Sequence, residues 1–342
     1  MNPSAVRVLI VDDSASMRAA LNRILSNDPE IQVVGLAPEP NVAREMIKDL
    51  NPDVLTLDIE MPGMDGLSFL ERIMRLRPMP VVMCSTLTAR GAEATIEALR
   101  LGAVDCIQKP TGDPLQIAND SARLCATVKA AARSTVRLAP DAVAPLKPSA
   151  PGSLRDAVVA IGASRGGVEA LFAVLRALPV DCPPILVVQH MPAAFTPGFA
   201  SRLNKECALK VVEAQDGTAI ERGTVYIAPG GQTHMELAGG VHGRIKLRAT
   251  ELHSGHRPSV DVLFNSVAPI GPAAVGVMLT GMGSDGAEGM LAMRAAGART
   301  FGQSKETCVV YGMPRAAFAL GAVEREVPLS AMAEAILGAC RK

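Results

Sequence analysis

Apolar runs that end abruptly, each followed by a stretch with apolar residues every three or four positions, recur along most of this chain. That alternation restricts the fold more than any other feature. In the N-terminal part the runs are VRVLIVDD (6–13), QVVGLA (32–37), DVLTLDI (53–59), PVVMCS (80–85) and CIQK (106–109). Between them lie ASMRAALNRIL, NVAREMIKDL, LSFLERIMRL and AEATIEALRLG, all with helical spacing. Strands alternating with helices call for βαβ crossovers, hence a parallel sheet covered on both faces. Polar residues at the carboxyl ends of such strands gather along one sheet edge, where ligands bind in this architecture.

The pattern breaks once. AARSTVRLAPDAVAPLKPSAPGS (131–153) is rich in Pro, Ala and Ser, has no sustained period, and reads as an extended, semi-rigid linker. Beyond it the alternation returns in AVVAIGAS, ILVVQHMP and AAVGVMLTGMG, each followed by a helical stretch, while TVYIAPGGQTHMELAGGVHGRIKLRA alternates like hairpins with Gly turns. A chain of 342 residues exceeds one ordinary core. The expected organisation is a first α/β domain over 1–125 with a five-stranded parallel sheet, and a linker over 126–153. A second α/β domain over 154–342 follows, with a doubly wound, mostly parallel sheet and an antiparallel insert.

Composition removes several function classes. Lys plus Arg equals Asp plus Glu, 34 each, and no dense basic run exists, which disfavours a nucleic-acid partner. No apolar run reaches membrane-spanning length and the N-terminus lacks a signal peptide's apolar centre, so the expectation is a cytoplasmic, non-membrane protein. Seven cysteines are scattered without CxxC or Cys/His metal spacing; Cys84, Cys106 and Cys308 lie in strand-like runs and read as small core fillers in a reducing compartment. Trp is absent and aromatics are few, against base or sugar stacking.

Two clusters carry chemistry. Asp12 and Asp13 end one N-terminal strand and Asp58 another, so three carboxylates should converge. Like charges that close raise each other's pKa unless a cation is present, and a hard divalent ion such as Mg²⁺ suits oxygen ligands. Ser85 and Lys109 end two further strands and add a hydroxyl and an ammonium, a set suited to phosphoryl transfer onto a carboxylate. An Asp alone could simply cap the next helix; five groups on strand ends go beyond that.

In the second domain Gly162-Ala163-Ser164-Arg165-Gly166 has G-x-S-x-G spacing where a strand turns into a helix. A dinucleotide loop is the competing reading, but G-x-G-x-x-G spacing is absent and the next strand ends in Gln189 and His190 rather than an acidic residue. A hydroxyl needs a base to become a nucleophile, and His190 on the adjacent strand end can serve. Asp285, in LTGMGSDGAEG after another buried strand, is the expected partner of that imidazole; Asp216 and Asp261 sit on loops or helix-like runs and fit less well.

Both halves resemble known families. VLIVDDSASMR, LDIEMPGMDGLSFL, the Ser of VVMCS and QKP are similar to the receiver domain of two-component response regulators. That resemblance implies Asp58 as phospho-acceptor, Asp12, Asp13 and Asp58 with the Glu60 carbonyl as Mg²⁺ ligands, Ser85 as switch hydroxyl and Lys109 as phosphate partner. Cys106 stands where many receivers carry an aromatic switch residue. IGASRGG, VVQHMP, YIAPGG, HRPSVDVLF and LTGMGSDGAEG resemble the catalytic domain of the chemotaxis protein-glutamate methylesterases. The resemblance implies Ser164 as nucleophile, His190 as general base and acid, Asp285 as orienting carboxylate and the Met282 backbone N–H as oxyanion donor, with no cofactor for hydrolysis. It also implies glutamine deamidation by the same site, a chemotaxis histidine kinase as phosphodonor, methyl-accepting chemoreceptors as substrate, and a receiver that covers the active-site mouth until phosphorylated. Arg165 replaces the small residue usual after the nucleophile, and GGQTH (230–234) varies the family's loop. The rivals are a non-enzymatic docking module, a DNA-binding regulator and a small-ester hydrolase.

Overall fold

A computed structural model describes residues 5–61, 65–85, 89–109, 114–134, 146 and 154–342. The chain divides into two units, Met1–Ala139 and Pro140–Lys342. Most of the linker expected over 126–153 lies outside the described residues. Among the described residues no helix is long and apolar enough to cross a membrane.

In the first unit five strands, β1 (Val6–Val11), β2 (Ile31–Ala37), β3 (Val54–Asp58), β4 (Val81–Ser85) and β5 (Asp105–Gln108), form one sheet in the order β2-β1-β3-β4-β5. Every neighbouring pair is parallel. Helices α1 (Ala15–Ser26), α2 (Pro40–Leu50), α3 (Gly66–Leu76), α4 (Ala89–Arg100) and α5 (Pro114–Ala132) provide the crossovers. Strand β3 is buried at all five positions, as a strand covered on both faces must be. Ser14 caps α1, its Oγ accepting from Met17 N, and Asp65 caps α3, accepting from Ser68 N at 2.7 Å. The cap role open to Asp12 therefore belongs to Ser14.

Helix α5 runs to Ala132, into the stretch expected to be linker from 126 onward. The reason is a buried stripe: Leu124, Cys125, Val128 and Ala131 recur at spacings of one, three and three residues and are all buried. A linker reading needs solvent on every side, and this face has none.

The second unit carries β6 (Val158–Ala163), β7 (Ile185–Gln189), β8 (Lys210–Glu213), β9 (Thr224–Ile227), β12 (Ala274–Met278), β13 (Arg299–Gln303) and β14 (Arg325–Val327) in one sheet, ordered β14-β13-β12-β6-β7-β9-β8. All its pairings are parallel. Strands β10 (His234–Ala238) and β11 (Arg244–Arg248) form a separate antiparallel pair, the expected insert. TVYI, grouped with the hairpins from its sequence, is instead β9 of the parallel sheet; all four residues are buried, which an alternating hairpin strand would not be. Helices α6 (Gly167–Ala177), α7 (Thr196–Glu206), α8 (Val260–Val267), α9 (Ala287–Ala295), α10 (Met313–Ala319) and α11 (Leu329–Cys340) complete the unit. Phe172 of α6 meets Phe199 of α7 edge-to-face at 6.0 Å, and burying each ring contributes about 2–3 kcal/mol.

Both sheets reverse their winding once. In the first unit the chain passes from β1 out to β2, then returns to β3 on the other side of β1. In the second it runs from β6 to β7 and out to the edge strand β8, comes back to β9 between those two, and then crosses to β12 on the other side of β6. Such a reversal opens a crevice at the carboxyl ends of the two flanking strands, and polar residues placed there face ligand space.

Candidate functional site

The first crevice holds the acidic cluster. Asp12 and Asp58 are buried and Asp13 is exposed; each offers a carboxylate oxygen, and the three oxygens lie within 4.8 Å of one another. Lys109, just beyond β5, reaches in from the side, its Nζ 2.7 Å from Asp58 Oδ2 and 2.9 Å from Asp12 Oδ2. One Asp12 oxygen is engaged by Ser14 N at 2.9 Å, and Asp58 Oδ1 accepts from Glu60 N at 3.2 Å. Burial pushes the Asp58 carboxyl up; Lys109 pulls the other way, and the neighbouring Asp12 charge adds to the rise. Burial acts to lower the Lys109 pKa, yet its bonds and charge pairing with Asp58 and Asp12 outweigh that and hold the ammonium protonated.

Ser85 ends β4, buried, with its Oγ 3.5 Å from the Gly91 carbonyl in the first turn of α4. Cys106 is buried too, its thiol 3.6 Å from Thr95 Oγ1. The structure thus brings Asp12, Asp13, Asp58 and Lys109 together, with Ser85 on the adjoining strand end and Glu60 touching Asp58 through its N–H. Three acidic oxygen donors around a single ammonium fit a hard divalent cation better than they fit one another.

The second crevice begins at β6. Ala163 and Gln189 are register partners across β6 and β7, so Ser164 and His190 are the next residues on neighbouring strands, about 5 Å apart in the backbone. His190 N donates to Ala163 O at 3.0 Å and Ser164 N to Thr280 O at 3.0 Å, tying the Ser164 turn to both flanking strands. Helix α6 starts at once because Gly166 takes φ +74°, and a Cβ there would lie 2.5 Å from Val309 Cβ.

His190 Nε2 sits 2.8 Å from Asp285 Oδ2, with the His190 side chain only 9% exposed and that of Asp285 only 1% exposed. Asp285 receives three more hydrogen bonds: Ser259 Oγ at 2.7 Å, Val260 N at 2.8 Å and Asp261 N at 3.2 Å. These donors form the N-terminus of α8, where unpaired N–H groups and the helix dipole favour an anion. Burial alone would raise the Asp285 pKa; the His190 and Ser259 bonds, the His190 charge and the Val260 N–H overcome it and hold the group at about 2. Gly162 permits this approach, since a Cβ there would lie 2.3 Å from Val260 Cγ1.

Because Asp285 takes the proton-bearing Nε2, the other ring nitrogen, Nδ1, is buried without a hydrogen-bond partner. The structure therefore joins His190 to Asp285 and seats Ser164 beside His190 without a bond between hydroxyl and imidazole. Such bonds are often long in enzymes without substrate. Met282, in the turn between β12 and α9, is 40% exposed; the Arg165 guanidinium lies on its Sδ.

Three contributors went unpredicted. Gln189 Nε2 donates to both Ser164 O, at 2.8 Å, and His190 O, at 3.1 Å, so one buried amide braces the nucleophile and base segments. Its place inside the apolar run that ends at His190 was the available signal, since a buried polar side chain needs partners. Asp261, set aside in the sequence, is buried beside Asp285 and accepts from Gly289 N at 2.7 Å; burial raises its pKa, the more so beside the Asp285 charge. His256 stacks on His190 at 3.9 Å between ring centroids. Asp216 accepts from Leu247 N and supports the insert instead.

Comparison with known proteins agrees with this division. The CheB methylesterase family matches residues 159–336, and the response regulator receiver domain matches residues 8–119. A protein-glutamate methylesterase/protein-glutamine glutaminase 1 of Caulobacter vibrioides is 57% identical over 97% of this chain and 97% of its own length. A protein of the same description from Rhizobium johnstonii is 56% identical over 97% of this chain and 95% of its own length. The crystal structure of the Thermotoga maritima CheB methylesterase catalytic domain matches at TM-score 0.51 and 36% identity, covering 53% of this chain and 97% of that one.

Proposed function

The chain belongs to the CheB family of protein-glutamate methylesterases/protein-glutamine glutaminases carrying a receiver domain, and from that premise we propose that it demethylates chemoreceptors by a Ser-His-Asp mechanism under phosphorylation control. One observation carries the mechanism: Asp285 holds His190 Nε2 at 2.8 Å while the buried Nδ1 has no partner. That bond selects the tautomer with the proton on Nε2, which leaves the Nδ1 lone pair as base.

Ser164 Oγ attacks the carbonyl carbon of a glutamyl methyl ester as His190 Nδ1 takes its proton. The Met282 N–H faces the developing oxyanion, a donor worth roughly 3 kcal/mol in such sites. Collapse of the tetrahedral adduct expels methanol, which receives the proton from His190, and leaves an acyl-Ser164. Water, deprotonated by His190, then attacks the acyl carbon and frees the glutamate and Ser164. A glutamine side chain follows the same path with ammonia leaving. Asp285 stays ionised throughout, its charge set by four donors.

In the receiver, Asp58 accepts a phosphoryl group from a histidine kinase, with Asp12, Asp13, Asp58 and the Glu60 carbonyl holding Mg²⁺. The ion supplies charge neutralisation for the phosphoryl oxygens. Lys109 pairs with the added negative charge, and Ser85 offers its hydroxyl to a phosphoryl oxygen in exchange for Gly91 O. Phosphorylation adds about two negative charges and three acceptor oxygens to a crevice where Mg²⁺ and Lys109 would neutralise them, and raises the hydrolytic rate. Methanol release from methylated receptor membranes, with and without a small phosphodonor, tests the whole reading. Wild type should release methanol faster with donor, Asp58→Ala should ignore donor, and Ser164→Ala should release none. Methanol release by Ser164→Ala at a rate near wild type would overturn it.

A further inference from the structure

His190 is held by one side-chain hydrogen bond, to Asp285. A single bond fixes an atom and leaves the ring free to hinge about it, yet proton transfer at Nδ1 requires the ring plane itself to point at Ser164. His256 supplies what is missing. Its ring lies flat on that of His190, centroids 3.9 Å apart and planes within 6°. A parallel face contact at this distance blocks rotation of the His190 ring out of its plane.

The segment presenting His256 is built for placement. His253 and His256 exchange backbone hydrogen bonds at 3.1 and 2.9 Å around a two-residue turn. Ser254, at φ +51°, and Gly255, at φ +77°, both lie in the left-handed region, a conformation serine rarely adopts. Arg257 then pins the turn, donating through Nε to Gly231 O at 3.0 Å and through Nη1 to Thr250 O at 2.8 Å, while Gly231 N donates to Arg257 O at 3.0 Å. Two residues further on, Ser259, Val260 and Asp261 cradle Asp285. One short run of chain thus fixes both the face of the base and the carboxylate at its edge.

We propose that His256 is a positioning residue for the hydrolysis, acting through its ring as a plate that sets the plane of His190 and not as a proton carrier. The inference rests on the Ser164–His190–Asp285 reading above. It predicts that the ring matters and the nitrogens do not. With methylated receptor as substrate, His256→Leu, which keeps bulk without a flat face, should lower kcat about tenfold to a hundredfold and leave KM within about twofold. His256→Phe, which restores a flat ring, should recover kcat to within about threefold of wild type. Equal kcat in His256→Leu and wild type would overturn the proposal. So would a His256→Phe as impaired as His256→Leu, which would mean a nitrogen is required, or an effect on KM alone, which would mean substrate contact. Thermal unfolding of both variants accompanies the kinetics. Should His256→Leu fail to fold, wild-type kcat in His256→Phe still supports the plate and loss of kcat still overturns it. If wild type itself released no methanol, the parent reading would fail and this proposal with it, whereas normal wild-type release with unchanged His256→Leu kinetics would overturn this proposal alone.

Discussion

Asp58 and Asp285 are both buried carboxylates at the carboxyl edge of a parallel sheet, beside a winding reversal, and each touches a cationic or proton-bearing partner. Their environments push them in opposite directions: Asp58 is raised, Asp285 held at about 2. The difference is the count of fixed donors. Asp58 receives one backbone N–H, from Glu60, and shares Lys109 with Asp12. Asp285 receives Ser259 Oγ, Val260 N, Asp261 N and His190, supplied largely by a helix N-terminus. A carboxylate meant to stay charged is saturated by the protein itself. Asp58 is left short of partners, as the proposed metal-binding and phosphoryl-accepting role requires. The shared fold collects such groups; the local donors decide their chemistry.

The comparison breaks first at Ser164. Ser164→Ala should cut methanol release by on the order of 10⁴-fold or more and leave phosphoryl transfer to Asp58 intact, measured with a radiolabelled phosphodonor. Asp285→Asn should cost about 10³–10⁴-fold in kcat, because the amide favours the wrong His190 tautomer. It also has a stability signature. The folded pKa of Asp285 lies below that of an unfolded aspartate, so its contribution is full above about pH 4 and fades as pH falls toward 2. The unfolding free energy of wild type minus Asp285→Asn should therefore shrink on acidification through that window. A gap that widened there would mean Asp285 is not held ionised.

How much of this was legible beforehand follows the same line. Strand ends are readable from apolar runs, so the convergence of Asp12, Asp58 and Lys109, and the neighbouring places of Ser164 and His190, could be read directly. The cradle of Asp285 could not. It comes from Ser259–Asp261, a helix start some two dozen residues earlier, admitted only because Gly162 and Gly286 leave space for Val260. No periodicity reports such a contact. His256 lies within HRPSVDVLF, where no pattern marks it, since stacking depends on a turn whose backbone signal, Ser-Gly, is weak. The extent of α5 was readable in principle: Leu124, Cys125, Val128 and Ala131 keep helical spacing into the region taken as linker.

Smaller effects sharpen the contrast. Asp58→Asn should abolish stimulation by phosphodonor, a ratio expected to lie below the about hundredfold that a shift of the open form from 1% to 99% would give. Methanol release with and without donor reads it, and any remaining stimulation would place the phospho-acceptor elsewhere. Gln189→Met removes the two donors bracing Ser164 O and His190 O while preserving length, and should lower kcat about tenfold with KM little changed. A fall in KM-limited rate alone would assign Gln189 to substrate contact.

The smallest expected effect is the most direct test of a pocket left short of partners. Binding to the folded state alone stabilises by mass action, about 2.7 kcal/mol when free Mg²⁺ stands a hundredfold above its Kd and under about 0.5 kcal/mol near the Kd. Hydrogen exchange of the full chain, resolved by peptide, separates the units: Mg²⁺ should slow exchange around β1 and β3 and leave β6, β7 and β12 unchanged, with EDTA reversing the effect. Asp12→Asn should lose that protection, because a carboxylate ligand becomes a neutral amide. The same substitution removes a buried carboxylate charge, 2.9 Å from the Lys109 ammonium, that competes with Asp58 for it. Freed of its competitor, Asp58 gains the whole of Lys109, so metal-free Asp12→Asn should exchange no faster than wild type in this region. Faster exchange without metal would show Asp12 to be a structural partner of Lys109 first and a cation ligand second, and the pocket would then resemble the Asp285 cradle more than it differs from it.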